Sequence, residues 1–176
     1  MIPTPDTAHI RRDEYKDSVY DPAEDTFALL DALENDADEI RAYAPRLCVE
    51  IGSGSGCVSA FVGQLLGGNA EPILTSILDA LNPRIEGLVD LLLFNPPYVV
   101  TSDEEERLAQ STAGLGGSWA GGVHGTQLLD KMIHMGLIER VLSPGGRFYV
   151  VAIRANNPPA LVAALQARGL QVEGSS

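Results

Sequence analysis

The run Leu91 to Val100, Leu-Leu-Leu-Phe-Asn-Pro-Pro-Tyr-Val-Val, limits the possible folds more than any other stretch of the chain. Residues 88–94 are apolar almost without break, the pattern of a strand buried on both faces of a parallel sheet. Pro96 and Pro97 have no N–H to give a ladder, so the strand stops at Phe94 or Asn95 and the chain leaves the sheet there. Beyond that stop, the Asn95 side-chain carbonyl and the Pro96 backbone carbonyl are acceptors outside any ladder, and Tyr98 offers a flat π-face. Together they make a receptor for a planar NH2 group, either an aromatic amine or a carboxamide. Accepting both N–H protons returns electron density to nitrogen and aims it at an electrophile.

The rest of the chain supplies the sheet this strand needs. Asp21 as N-cap, Pro22 at the first helical position and Glu24 three residues after the cap predict a helix from 22 to 43, ended by Pro45. Residues 46–51 read as a buried strand closed by Gly52-Ser53-Gly54-Ser55-Gly56, and the apolar spacing from Cys57 to Leu66 predicts a second helix, stopped by Gly67-Gly68. A short strand is predicted over 73–78. Ser102 and Glu105 form a capping box for an acidic helix start, and 113–125 is too glycine-rich for regular structure. A helix over 126–142, a turn at Ser-Pro-Gly-Gly, a strand over 147–153, a helix capped by Asn157 and ended by Gly169, and a last strand from Leu170 complete the pattern. Strands alternating with helices predict an open, mostly parallel, doubly wound α/β sheet with helices on both faces. At 176 residues one domain is expected, with residues 1–19 as an N-terminal arm and 20–176 as the domain.

Charge and composition narrow the function. Asp and Glu outnumber Lys and Arg 24 to 12, a formal charge of −12, and Arg11-Arg12 is the only basic pair, so the surface repels a phosphate backbone. Cys48 and Cys57 lack a Cys-x-x-Cys pattern and the three histidines are scattered, so they read as buried thiols and no metal site is predicted. The N-terminus has no apolar signal core and no run reaches membrane-spanning length, which predicts a soluble intracellular protein.

In such a sheet ligands bind beyond the carboxyl ends of the strands, where strand order reverses. Glu50 and the turn Gly52-x-Gly54-x-Gly56 follow the first strand and open a helix, so a ligand can approach the backbone closely while the Glu50 carboxylate receives a cationic or hydroxylated group. A nicotinamide fingerprint calls for glycine at 57, where Cys57 stands.

The pairing of Glu50-x-Gly-x-Gly-x-Gly with Asn95-Pro-Pro-Tyr98 resembles the S-adenosylmethionine-dependent class I methyltransferases, of Rossmann-like fold, that modify planar nitrogens. With Val19–Leu33, Val89–Val100 and Ser118–Gly125 as context, it resembles more narrowly the HemK-like glutamine methyltransferases of eukaryotic type, from about Val19 to Gly169. That resemblance implies methylation of the glutamine side-chain amide in the Gly-Gly-Gln motif of the eukaryotic class 1 release factor, in the cytoplasm and also the nucleus. It implies S-adenosylmethionine as cofactor, with Glu50, Gly52 and Gly54 at its methionine part and Thr26 at its carboxylate end. Asn95 borders the cofactor and, with Pro96, holds the substrate amide; Pro97 and Tyr98 complete the slot. Trp119, the one large side chain of the glycine-rich loop, borders the entrance. A small zinc-binding activator protein is implied as obligate partner, extending the edge strand at 72–78.

Two departures stand out. Family members have a second strand, ending in an acidic residue that grips the cofactor ribose, and then a helix; here Gly67-Gly68-Asn69-Ala70 runs almost directly into the next strand. Ser76 stands where the family tends to carry Asp near the adenine, and the closing antiparallel hairpin is missing. A lost central strand would leave a gap beside the first strand, so a run left out of the sequence explains the pattern better than a true deletion. Three rival functions share parts of this pattern: an adenine-amino methyltransferase of DNA or RNA, which the charge disfavours; a protein lysine methyltransferase; and a non-catalytic scaffold subunit.

Overall fold

The computed structural model describes residues 1–11, 19–68, 71–75, 83–96 and 127–174. Among these residues the centre is a four-stranded parallel sheet: β1 (Leu47–Ile51), β2 (Glu71–Thr75), β3 (Val89–Phe94) and β4 (Leu142–Val150), in the order β2-β1-β3-β4. From β1 the chain crosses to one side for β2 and then to the other for β3. The reversal point therefore lies between the carboxyl ends of β1 and β3.

Alternation along the strands divides the core into two layers. Cys48, Leu91 and Leu93 face a cluster with α1 (Glu24–Asn35), α2 (Ala37–Tyr43) and α3 (Cys57–Leu65). Val49, Ile51, Leu92 and Phe94 face another with α4 (Gln127–His134), α5 (Leu137–Val141) and α6 (Pro158–Ala167). Covered on both sides, the apolar residues of β3 are all buried, which is why residues 88–94 show no alternation. This is the doubly wound arrangement expected.

Several boundaries differ from expectation, each for a local reason. The helix predicted over 22–43 is two. Ala23, not Asp21, is the N-cap of α1, and its N–H donates to Thr26 Oγ1 at 3.5 Å. The helix breaks at Asp36, whose carboxylate accepts the Tyr149 hydroxyl at 2.6 Å, and α2 then buries Ala37 and Ile40 in the same cluster as Leu33. Likewise the helix predicted over 126–142 divides at Gly136, whose φ of +66° lies outside the helical region. Ser-Pro-Gly-Gly is not a turn ahead of β4 but an irregularity within it. Val89 pairs with Leu142, the ladder resumes with Leu91 opposite Arg147, and Pro144 between them has no N–H to offer. Residues 170–173 form no strand and join no ladder among the described residues; Leu170 and Val172 pack instead on the cluster of α4–α6.

The largest correction concerns β2. It begins at Glu71, two residues earlier than the predicted run, and lies directly against β1 from Leu47 opposite Glu71 to Ile51 opposite Thr75. Five register pairs satisfy the edge of β1 that the missing strand was expected to leave open. Residues 76–78, the helix start at Ser102 and the loop 113–125 lie outside the described residues. The N-terminal residues rest on the domain: Ile10 is buried, and the Ile2 N–H donates to Glu34 at 2.6 Å.

At the end of the sheet away from the switch point, Asp90 ties three segments together. It accepts from Ser143 Oγ at 2.6 Å, from the N–H groups of Arg46 and Leu47 at 2.8 and 3.1 Å, and from Tyr43 at 3.4 Å. Burial pushes its pKa up, but these four donors favour the charged form and hold it below the usual carboxylate value. Among the described residues, no helix is long and apolar enough to cross a membrane.

Candidate active site

Parallel pairing of Ile51 with Phe94 brings the glycine turn after β1 beside Asn95-Pro96 after β3. The two motifs, 43 positions apart in sequence, thus open on one crevice at the reversal point. Gly52, Gly54 and Gly56 have φ of +68°, +46° and +73°, a region closed to most side chains. A Cβ added at Gly52 or Gly56 meets no atom within 4 Å, so the backbone of the turn borders open space that a ligand can enter.

Glu50 is 5% exposed, at the carboxyl end of β1. Its Oε2 accepts the Ser59 N–H at 3.0 Å and also the Ser59 hydroxyl, both from the first turn of α3. Burial raises its pKa, and the two Ser59 bonds partly offset that rise. Next to it, burial and then the charge of Glu50 push the Cys57 thiol up; burial, with Asp90, takes Cys48 to about 11. Both cysteines are buried and free, as the sequence predicts.

Asn95 donates from Nδ2 to Asp25 Oδ2 at 2.9 Å, while its Oδ1 is buried and has no hydrogen-bond partner among the described residues. An unpaired buried acceptor costs about 1–3 kcal/mol, so an unsatisfied carbonyl at this point signals an absent donor. Pro96 is buried beside it. Thr26, in the first turn of α1, is 5% exposed and adjoins Asp25. Asp25 also accepts the Tyr20 hydroxyl at 3.1 Å.

Of the predicted site residues, the structure gathers Glu50, Gly52, Gly54, Asn95 and Pro96 around the crevice, with Thr26 one position from the Asn95 contact. Ser76, Pro97, Tyr98 and Trp119 lie outside the described residues. Sequence reasoning missed three residues. Ser59 gave no signal beyond a polar position on an apolar helix face. Asp25 stands in the acidic first turn of α1, where an acid is accounted for by the helix dipole alone, and Tyr20 precedes that helix.

A doubly wound parallel sheet with these two turns side by side at one switch point is consistent with part of a Rossmann-like methyltransferase fold. No family model matches the chain. It is 39% identical over 196 residues to methyltransferase HEMK2 of Mus musculus, covering 97% of this chain and 87% of that protein. To the Homo sapiens protein of the same name it is 38% identical over 194 residues, covering 96% and 86%. To the eRF1 methyltransferase catalytic subunit mtq2 of Schizosaccharomyces pombe it is 36% identical over 209 residues, covering 98% and 88%. The chain belongs to the HEMK2/Mtq2 family of methyltransferases. Each matched length exceeds the 176 residues of this chain, so the relatives carry residues without counterpart here.

Proposed function

We propose that this chain is the catalytic subunit of an S-adenosylmethionine-dependent methyltransferase that modifies the glutamine side-chain amide nitrogen in the Gly-Gly-Gln motif of a class 1 release factor. The observation that carries it is Asn95 Oδ1, a buried acceptor with no donor among the described residues, set at the switch point beside a glycine turn that borders open space. The relatives support the same reading, since one is named as the catalytic subunit of an eRF1 methyltransferase.

The residues present suit the cofactor at its methionine end. The glycine turn admits close approach, and Glu50 sets a buried carboxylate where the methionine ammonium would lie; Thr26 serves the carboxylate end. The acid that grips the ribose in the family has no counterpart among the described residues. S-adenosylmethionine, when bound, supplies an electrophilic methyl group on a sulfonium. Asn95 Oδ1 and the Pro96 carbonyl each accept one N–H of the glutamine amide, which turns the nitrogen lone pair toward that methyl group. Transfer of that methyl group would break its bond to sulfur as the bond to nitrogen formed, and the surplus proton of the nitrogen would leave for water. The chain contributes orientation and charge stabilisation here, and no side chain needs to abstract a proton first.

The name of the fission-yeast relative, a catalytic subunit, also supports a partner. β2 pairs only with β1 among the described residues, so a small zinc-binding activator that adds a strand along Glu71–Thr75 fits the free edge. Asn95→Ala tests the site directly. The expected result is a loss of about 100-fold or more in turnover with cofactor affinity much less affected, on the scale of removing one preorganised partner. Near-normal turnover would remove Asn95 from the chemistry.

A further inference from the structure

A primary amide has two ends of nearly the same shape and opposite chemistry: the oxygen accepts and the nitrogen donates. If Asn95 is the receptor for a substrate NH2 group, its usefulness depends on which end faces the slot. A half-turn of the side chain would set its own N–H donors against the donors of the substrate.

Asp25 fixes that choice. Its carboxylate lies 2.9 Å from one end of the Asn95 amide, and an ionised carboxylate only accepts, so the end facing it must be Nδ2. Oδ1 is thereby turned away, buried and without a partner among the described residues. The other carboxylate oxygen of Asp25 accepts the Tyr20 hydroxyl at 3.1 Å, which restrains the carboxylate in turn. The start of α1 thus does more than cap a helix, since it brings an acceptor-only group across 70 positions of sequence to the end of β3.

We propose that Asp25 is a positioning residue that locks the Asn95 amide with its oxygen toward the substrate, and that Tyr20 steadies Asp25. This rests on the reading of Asn95 as the amide receptor. It adds that the start of α1 determines whether that receptor accepts or donates.

The test is a double-mutant cycle on the full chain in its active assembly, with methyl transfer to the Gly-Gly-Gln substrate as readout. Asp25→Asn keeps size and shape, but the new amide can give as well as accept, so Asn95 is free to flip. We expect kcat to fall by about 10- to 100-fold, the scale of a misoriented catalytic group, with cofactor affinity and melting temperature close to wild type. In an Asn95→Ala background the same substitution should cost no further activity, because its only route of action is gone. A purely structural role would instead multiply the two losses. The Asn95 side-chain NH2 signal in a nitrogen–proton NMR spectrum should also move on Asp25→Asn. Should that variant fail to fold, Tyr20→Phe carries the same cycle, with a smaller fall in kcat that again vanishes without Asn95. Wild-type kcat in the variant that folds, or losses that multiply, would overturn the inference while leaving the receptor reading intact. Near-normal activity of Asn95→Ala alone would overturn the receptor reading itself.

Discussion

Ser59 is the support on which the Glu50 carboxylate rests, and Ser59→Ala is the perturbation that measures it. Both residues are nearly fully buried, and Glu50 Oε2 takes two donors from Ser59: the N–H at 3.0 Å and the hydroxyl. The substitution deletes the hydroxyl and keeps the N–H. A hydrogen bond to a charged group contributes about 1.5–3 kcal/mol, and the better helix propensity of alanine returns roughly 0.5 kcal/mol. The net loss is then about 1–2.5 kcal/mol, or about 2–10 °C in melting temperature for a chain of this size. The loss also has a pH signature. Burial already raises the Glu50 pKa, and removing a donor to the charged form raises it further. A group that binds its proton more tightly when folded costs stability as pH rises from its unfolded pKa through its folded one. Thermal melts of the variant should therefore fall further below wild type at pH 8 than at pH 5. In a Glu50→Gln background, which has no charge to support, the Ser59→Ala loss should shrink and the pH dependence disappear. Melting curves that match wild type at both pH values, or a loss equally large beside Glu50→Gln, would refute the reasoning.

Asp90 predicts the opposite trend at low pH. Its folded pKa lies below its unfolded one, so its contribution is full above about pH 4, the ordinary range for Asp, and is lost as pH falls through the lower folded value. Melting temperature should drop more steeply below about pH 4 for the wild type than for Asp90→Asn. The proposed partner predicts a change at the other edge of the sheet: hydrogen exchange at the β2 backbone amides should slow when the zinc-binding activator is added, and unchanged exchange there would remove that edge from the interface.

Apolar periodicity and the two turn motifs make the helices, the buried strands β1 and β3 and the switch-point crevice legible in the sequence. These features depend on local chemistry: proline without an N–H, glycine at positive φ, unbroken apolar runs. What was not legible depends on tertiary contacts. The break at Asp36 follows from its bond to Tyr149, 113 positions away, and the failure of 170–173 to form a strand follows from the lack of a ladder to join. The position of β2 against β1 reversed an expectation argued from strand counting, because pairing is decided by whichever edge is available. At the site, Asn95 and Glu50 could be named from sequence, but their supports Asp25 and Ser59 could not. Polar residues in the first turn of a helix are so often mere caps that nothing marks these two until the strands are paired.

The central claim is that the Asn95 receptor accepts a glutamine amide on a release factor. The most direct measurement is methyl transfer, by the chain with its partner, to four acceptors in parallel: a release factor bearing Gly-Gly-Gln, its Gln→Ala variant, adenine-containing DNA and a basic lysine-containing peptide. A net charge of −12 and an Asn95 Oδ1 with no partner among the described residues predict labelling of the release factor that vanishes in the Gln→Ala variant, with DNA left unlabelled. Preferred labelling of DNA, or labelling of the release factor that survives loss of the glutamine, would contradict the account.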